Sequence, residues 1–258
     1  MKNRVYFFTG TGNSLKVAKE IAAALPDCEL VAIRKGIDSA IPEGLERIGF
    51  VFPVYYWGPP AMVADFIKNV NFGKQDGAYF FALATNGGSP GAALPYIQDI
   101  LHEKGVGLNY SAYIKMFANA VFKYNMSRRV EEITRKSNKR IAAIVPDIAD
   151  LKENRTASGS RLILRTYLKS IANIHNFDRK FNVNDDCISC GICRDVCPAK
   201  NIEMCDGRPV FRHQCECCLA CLHHCPKKSI NYMQKTQSRR RYTHPEIGHE
   251  EISQFYMN

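Results

Sequence analysis

The sequence predicts a two-part α/β protein, a doubly wound parallel sheet followed by a small cysteine-rich module. Three observations lead there. Across residues 1–117, short apolar runs alternate with stretches of helical spacing. Strands that read as continuous apolar runs are buried on both faces, and helices between them make the sheet parallel. Ten of the eleven cysteines fall between Cys187 and Cys225, and only Cys28 lies before them. Between these regions, residues 118–180 carry two long helical patterns and most of the positive charge.

The elements follow in order. Val5-Tyr6-Phe7-Phe8 is the first β run. Asn13 to Leu25 sets Leu15, Val17, Ile21 and Leu25 at helical intervals and stops at Pro26. Leu30 to Ile33 and Ile48 to Phe52 are the next strands. Pro60 opens a helix to about Asn69, as proline suits a first turn. Ala78 to Ala84 is a strand, Ala92 to Glu103 a helix and Gly107 to Met116 a further strand. Arg128 to Val145 and Ser160 to His175 are predicted helices, separated by Pro146 and a polar stretch. The second sets Leu164, Leu168, Ile171 and Ile174 along one face. The predicted organisation is a sheet domain at 1–117, a helical connector at 118–180, the cysteine module at 181–234 and a tail at 235–258.

The 258 residues, 46% hydrophobic, can bury a sizeable core. No apolar run reaches the 18 or more residues of a membrane span. The opening Met1 to Phe8 is too short for a signal segment, so a reducing, cytoplasmic setting is expected. A disulfide framework would leave an odd thiol among eleven, and thiolates used as metal ligands fit better. The net charge of +10 is local: residues 123–180 hold 14 Lys and Arg against 6 Asp and Glu.

The cysteines repeat one pattern. Cys187, Cys190, Cys193 and Cys197 before Pro198 form C-x2-C-x2-C-x3-C-P, and Cys215, Cys218, Cys221 and Cys225 before Pro226 form it again. This is the run that holds paired four-iron clusters in bacterial ferredoxins. Three closely set thiolates wrap one cube, and the fourth, before proline, reaches the other. Cys187, Cys190, Cys193 and Cys225 are therefore assigned to one [4Fe-4S] cluster, and Cys215, Cys218, Cys221 and Cys197 to a second. Zinc knuckles also use C-x2-C pairs, but not this doubled spacing. Cys205 and Cys217 stand outside the pattern, and Cys217 is expected to pack as a small apolar side chain.

After the first strand comes Thr9-Gly10-Thr11-Gly12-Asn13-Ser14, opening a helix. Its glycines permit a tight turn, and helix N-terminal amides can then face a phosphate. The loop lacks the Gly-Lys-Ser/Thr of nucleoside-triphosphate sites, and Leu15 breaks the dinucleotide pattern. One terminal monophosphate suits it.

These residues resemble the phosphate loop of flavodoxins, matched at every position from Thr9 to Ser14. The resemblance implies a five-stranded sheet of order 2-1-3-4-5 with FMN at the carboxyl ends of the strands. It implies two flanking loops at the isoalloxazine: Pro53, Val54, Tyr55, Tyr56, Trp57 and Gly58 in one, Thr85, Asn86, Gly87, Gly88 and Gly91 in the other. Tyr56 or Trp57 would stack on the ring. The cysteine segment resembles α+β two-cluster ferredoxin modules, and the whole chain resembles the flavodoxin–ferredoxin fusions of anaerobic bacteria and archaea.

The resemblance implies an electron-transfer protein passing electrons between two [4Fe-4S] clusters, FMN and a redox partner. Arg128, Arg129, Lys136, Lys139 and Arg140 would suit an acidic partner. Bound clusters and FMN phosphate offset much of the basic charge, so nucleic acid is not expected as a partner. The alternative is an FMN-dependent reductase of an organic substrate, with Tyr55, Tyr56, Tyr124 or His102 as proton donor. A redox sensor is a third class, but no DNA-binding helix pair supports it. No catalytic residue is assigned, and the oligomeric state is left open.

Overall fold

The computed structural model describes residues 2–156 and 158–257. Strands β1 (Asn3–Phe7), β2 (Cys28–Ala32), β3 (Arg47–Pro53), β4 (Tyr79–Asn86) and β5 (Tyr110–Lys115) form one parallel sheet, in the order β2-β1-β3-β4-β5. This is the flavodoxin-like doubly wound order, with the topological switch between β1 and β3. All eight residues of β4 are buried, which is why its sequence runs apolar without alternation. Helix α1 (Asn13–Ala24) follows β1, α2 (Ala61–Asn69) follows β3, and α3 (Ala93–Glu103) follows β4.

The expected connector contributes to this domain. Helix α4 (Val130–Ala149) lies beside α1, with Ile141, Ile144 and Ile148 buried against the sheet. Pro146 does not end it, as the sequence had suggested, but sits inside. A mid-helix proline forfeits a backbone bond, and burial of isoleucines on both sides of it, about 1.5–3 kcal/mol each, carries the helix through. Helix α5 (Arg161–Ile171) turns a different face inward from the predicted one: Leu168 is 42% exposed, while Tyr167 is fully buried. The Tyr167 ring covers Gly58, and its hydroxyl donates to the Pro59 carbonyl oxygen at 2.8 Å. A 3-10 turn, Ile174–Lys180, follows.

The cysteine region repeats strand–helix–strand: β6 (Phe181–Val183), α6 (Ile192–Asp195) and β7 (Ile202–Cys205), then β8 (Arg208–Phe211), α7 (Ala220–His223) and β9 (Ile230–Tyr232). Strand β6 pairs antiparallel with β9, and β7 with β8. The last residues do not trail away. Helix α8 (His249–Met257) packs near β2 and α6, and Phe255 meets Phe7 edge-on at 4.9 Å. No helix among the described residues is long and apolar enough to cross a membrane.

Candidate functional site

The loop Thr9–Ser14 sits at the carboxyl end of β1. Gly12 is the N-cap of α1 with φ 94°, a left-handed conformation glycine adopts without steric cost, and it has no side chain to cap the first-turn amides. Those amides have no intrahelical partners. Inside the loop the Gly12 amide donates to Thr9 Oγ1 at 3.1 Å, and Ser14 Oγ pairs with Thr85 Oγ1 at 2.9 Å. A cavity of about 40 Å³ lies among the loop, Pro53 to Tyr55, Thr85 to Gly87, and Phe117 to Asn119. Two buried polar atoms beside it, Tyr55 Oη and Asn86 Oδ1, have no hydrogen-bond partner among the described residues. Burial among polar neighbours holds the Tyr55 hydroxyl well above the ordinary phenol range, so it stays protonated and able to donate. Open amides and orphan polar groups at a helix N-terminus fit a phosphate ester.

The adjoining cavity, about 220 Å³, is bounded by Val54 to Trp57, Gly87 to Ser89, Ala118 to Tyr124, Cys217 and Leu219. One wall is a strained turn. Tyr55 and Gly58 exchange backbone hydrogen bonds at 2.8 and 2.9 Å, and Tyr56 and Trp57 between them take φ 51° and 70°. This is a two-residue hairpin of the primed type, in which Asn-Gly is the usual pair. Left-handed backbone costs about 1–2 kcal/mol for a bulky residue, so two aromatics are held here against preference, and such strain gathers at functional sites. Trp57 is 42% exposed. The Ala92 amide donates to the Trp57 carbonyl oxygen at 2.8 Å, and Gly91 packs against the Trp57 backbone, which ties the two predicted loops together.

Residues 117–124 form a wall of which sequence reasoning had singled out only Tyr124. Asn119 Nδ2 donates to Thr11 Oγ1 at 3.2 Å, Asn13 Nδ2 donates to the Phe117 carbonyl oxygen at 2.9 Å, and Lys123 Nζ lies 5.5 Å from the Tyr56 ring centre. The only sequence signal was position, directly after β5 at the same sheet edge as the phosphate loop. Tyr124 reaches this cavity, as do Tyr55 and Tyr56. His102 does not. It is exposed in the last turn of α3, at the opposite end of the sheet.

The cysteines gather in two sets. The Cys193 thiol faces Cys187, Cys190 and Cys225, and burial with these neighbours pushes it up to about 12. The Cys221 thiol faces Cys215, Cys218 and Cys197, with Cys193 beyond, and is held far above the ordinary thiol range. All eleven cysteines are unpaired. Backbone amides point at several of the sulfurs: Asn201 to Cys197 at 3.4 Å, Cys217 to Cys215 at 3.3 Å and Ser229 to Cys225 at 3.2 Å. No three His, Cys, Asp or Glu among the described residues converge closely enough for a single metal ion. The donor set suits a positively charged inorganic core that would hold buried thiolates ionised.

The two regions meet at backbone distance. A Cβ on Gly10 would strike the Cys218 carbonyl oxygen, so only glycine lets the phosphate loop lie this near the second cysteine loop. Cys217 takes φ 51°, lines the larger cavity and lies 3.5 Å from the Tyr56 hydroxyl.

The tail closes the loop from outside. Tyr256 Oη accepts from the Thr9 amide at 2.9 Å and donates to the Thr9 carbonyl oxygen at 2.7 Å. The His244 amide donates to the Thr11 carbonyl oxygen at 2.8 Å, and Tyr242 Oη donates to Asn13 Oδ1 at 2.7 Å. His224 Nε2 donates to the Gly10 carbonyl oxygen at 3.2 Å, and His223 Nε2 donates to that of Asn119 at 2.7 Å. Burial holds both imidazoles neutral, pushed down to about 3 for His223 and about 4 for His224.

No protein-family model and no curated protein matches the chain. Among solved structures it is similar to a flavodoxin of Fusobacterium nucleatum bound to flavin mononucleotide, with 16% identity over 59% of this chain and 100% of that one, TM-score 0.38. An FMN-dependent NADH-azoreductase of Bacillus anthracis gives 10% identity over 57% and 99%, TM-score 0.40. A flavoprotein of Lactobacillus acidophilus in complex with FMN gives 16% over 43% and 92%, TM-score 0.33. The fold assignment rests on the strand order of the chain itself.

Proposed function

We propose that the chain is an electron-transfer protein that binds FMN at the carboxyl edge of its sheet and two [4Fe-4S] clusters in its cysteine region. FMN supplies one- and two-electron chemistry and each cluster one electron. The observation that carries this reading is the contact of the second cysteine loop with both parts of the cavity: Cys218 against Gly10, and Cys217 against Tyr56.

In this reading the residues 9–14 hold the phosphate, with Tyr55 and Asn86 turned toward it. The turn Tyr56-Trp57 and the loop 85–91 hold the ring, and Lys123 sits at its rim. Cys187, Cys190, Cys193 and Cys225 hold one cluster, and Cys215, Cys218, Cys221 and Cys197 the other. Exposure differs between the sets. Cys190 is exposed with Ile188 beside it at 54%, whereas Cys215, Cys218 and Cys221 are buried beneath the sheet domain. The first set therefore faces a partner and the second faces the flavin. Exposed Arg128, Arg135, Lys139 and Arg140 on and before α4 suit an acidic partner, whose exchange rate would then fall with added salt.

A reductase reading draws on the open mouth of the larger cavity, where Trp57 and Tyr124 are 42% and 46% exposed and leave room for a second molecule.

The test is anaerobic purification, assay of iron, sulfide and flavin, and a reductive titration followed by visible and EPR spectra. About eight irons and one FMN per chain, reduced in separable steps, are expected. Colourless, zinc-containing protein would overturn the reading. Oxidation of the reduced protein by an organic acceptor faster than by any protein acceptor would favour the reductase.

A further inference from the structure

The C-terminal tail carries a cation into the seam between the two cysteine sets. Arg241 Nη2 donates to the Ile230 carbonyl oxygen at 3.1 Å and to Asn231 Oδ1 at 2.7 Å. Its Nε and Nη1 are buried and have no acceptor among the described residues. A guanidinium is a fixed fork of five N–H donors, always charged, and buried donors without acceptors are costly. Its neighbours are informative. The ionisable groups that face Arg241 are Cys221 and Cys225, one from each set, together with the neutral His223, and burial away from water draws its pKa down. No carboxylate is among them. The flanking residues fix it there: the Tyr242 amide donates to His223 Nδ1 at 3.0 Å, and the Arg239 side chain donates through Nη1 to the Val121 carbonyl oxygen at 2.6 Å.

Resting on the electron-transfer reading above, we propose that Arg241 sets the reduction potentials of both clusters: its free Nε and Nη1 donors point to sulfur, and its fixed charge stabilises the reduced state. On reduction each cluster gains one electron from the external reductant and becomes one charge more negative. Arg241 neither gains nor loses a proton. Cluster potentials respond to local charge and to hydrogen bonds at sulfur, and a charge held away from water acts more strongly than one at the surface. Arg241 is thus a positioning residue in the electron path and not itself a carrier.

The test uses the full chain with its cofactors, purified anaerobically, as wild type, Arg241→Gln, Arg241→Lys and Asn231→Asp. Arg241→Gln removes the charge. Asn231→Asp keeps the acceptor at Nη2 and sets a negative charge against the guanidinium. After iron and sulfide assay, cluster reduction is followed by EPR at defined potentials. For Arg241→Gln and Asn231→Asp the ratio of reduced to oxidised cluster at a given potential falls about tenfold, equal to about 59 mV for a one-electron couple. Arg241→Lys recovers part of the difference. Ratios within about twofold of wild type, in variants that keep their iron, overturn the proposal and leave the electron-transfer reading intact. Loss of iron from both Arg241→Gln and Asn231→Asp assigns Arg241 to folding and also overturns it. A wild type that holds no iron overturns the electron-transfer reading, and this proposal with it.

Discussion

Replacing Tyr256 by Phe removes one oxygen atom and tests whether α8 holds the phosphate loop. The Tyr256 hydroxyl bonds both the amide and the carbonyl of Thr9, at 2.9 and 2.7 Å, in a fully buried setting. Phenylalanine keeps the ring and its packing, so little cavity forms. What changes is that the Thr9 N–H and C=O lose their shared partner. An unpaired buried group costs about 1–3 kcal/mol, and with partial relaxation of the pair the loss comes to about 2–4 kcal/mol. Domains are stable by only about 5–15 kcal/mol. For a chain of this size the substitution lowers the melting temperature by about 5–15 °C. Urea unfolding followed by far-ultraviolet circular dichroism checks it, with the midpoint expected to fall at constant slope. FMN affinity, read from the fluorescence of the single Trp57, should weaken in parallel, because Thr9 opens the loop. A stability change under about 0.5 kcal/mol would refute the reasoning.

Three further outcomes follow from the site. Gly10→Ala drives a Cβ into the Cys218 backbone and costs about 1–3 kcal/mol, weakening FMN binding as well. Gly107→Ala, which meets nothing within 4 Å, is its control, and both are compared by denaturation and flavin titration. His244 is buried and neutral, pushed down to about 4 from 6.5 by desolvation. The unfolded chain therefore binds a proton first, and stability present above pH 6.5 is lost as pH falls toward 4, at about 1.4 kcal/mol per unit. His244→Gln should lose about 2 kcal/mol less than wild type between pH 7.5 and 5, measured by urea midpoints. FMN should quench Trp57 fluorescence, and Trp57→Ala should weaken FMN binding while leaving the melting temperature nearly unchanged, since the side chain is 42% exposed.

Much of the fold was legible because the signals are local. Continuous apolar runs mark strands buried on both faces, and Gly-rich punctuation after Phe8 marks the turn into α1. The doubled spacing of eight cysteines was legible in the same way, and in the fold Cys193 has Cys187, Cys190 and Cys225 as neighbours and Cys221 has Cys215, Cys218 and Cys197. Where the prediction slipped, long-range packing outweighed a local rule. Pro146 should break a helix but lies between isoleucines buried on the sheet, and α5 turns Tyr167 inward because Gly58 leaves a hollow for its ring.

By itself, the sequence determined the kinds of side chain available: a Gly- and Thr-rich loop after β1, eight regularly spaced cysteines and aromatics after β3. Only the tertiary structure decided which of them touch. That Gly10 meets Cys218, that Tyr256 spans 247 positions to reach Thr9, and that Arg241 lies between the two cysteine sets are properties of the folded chain. The reason is physical. Spacing along a chain constrains neighbours within a turn or two, whereas contacts between distant segments are set by which buried surfaces pack together and by which polar groups that packing pairs or strands. Residues at a seam look, in sequence, like any others.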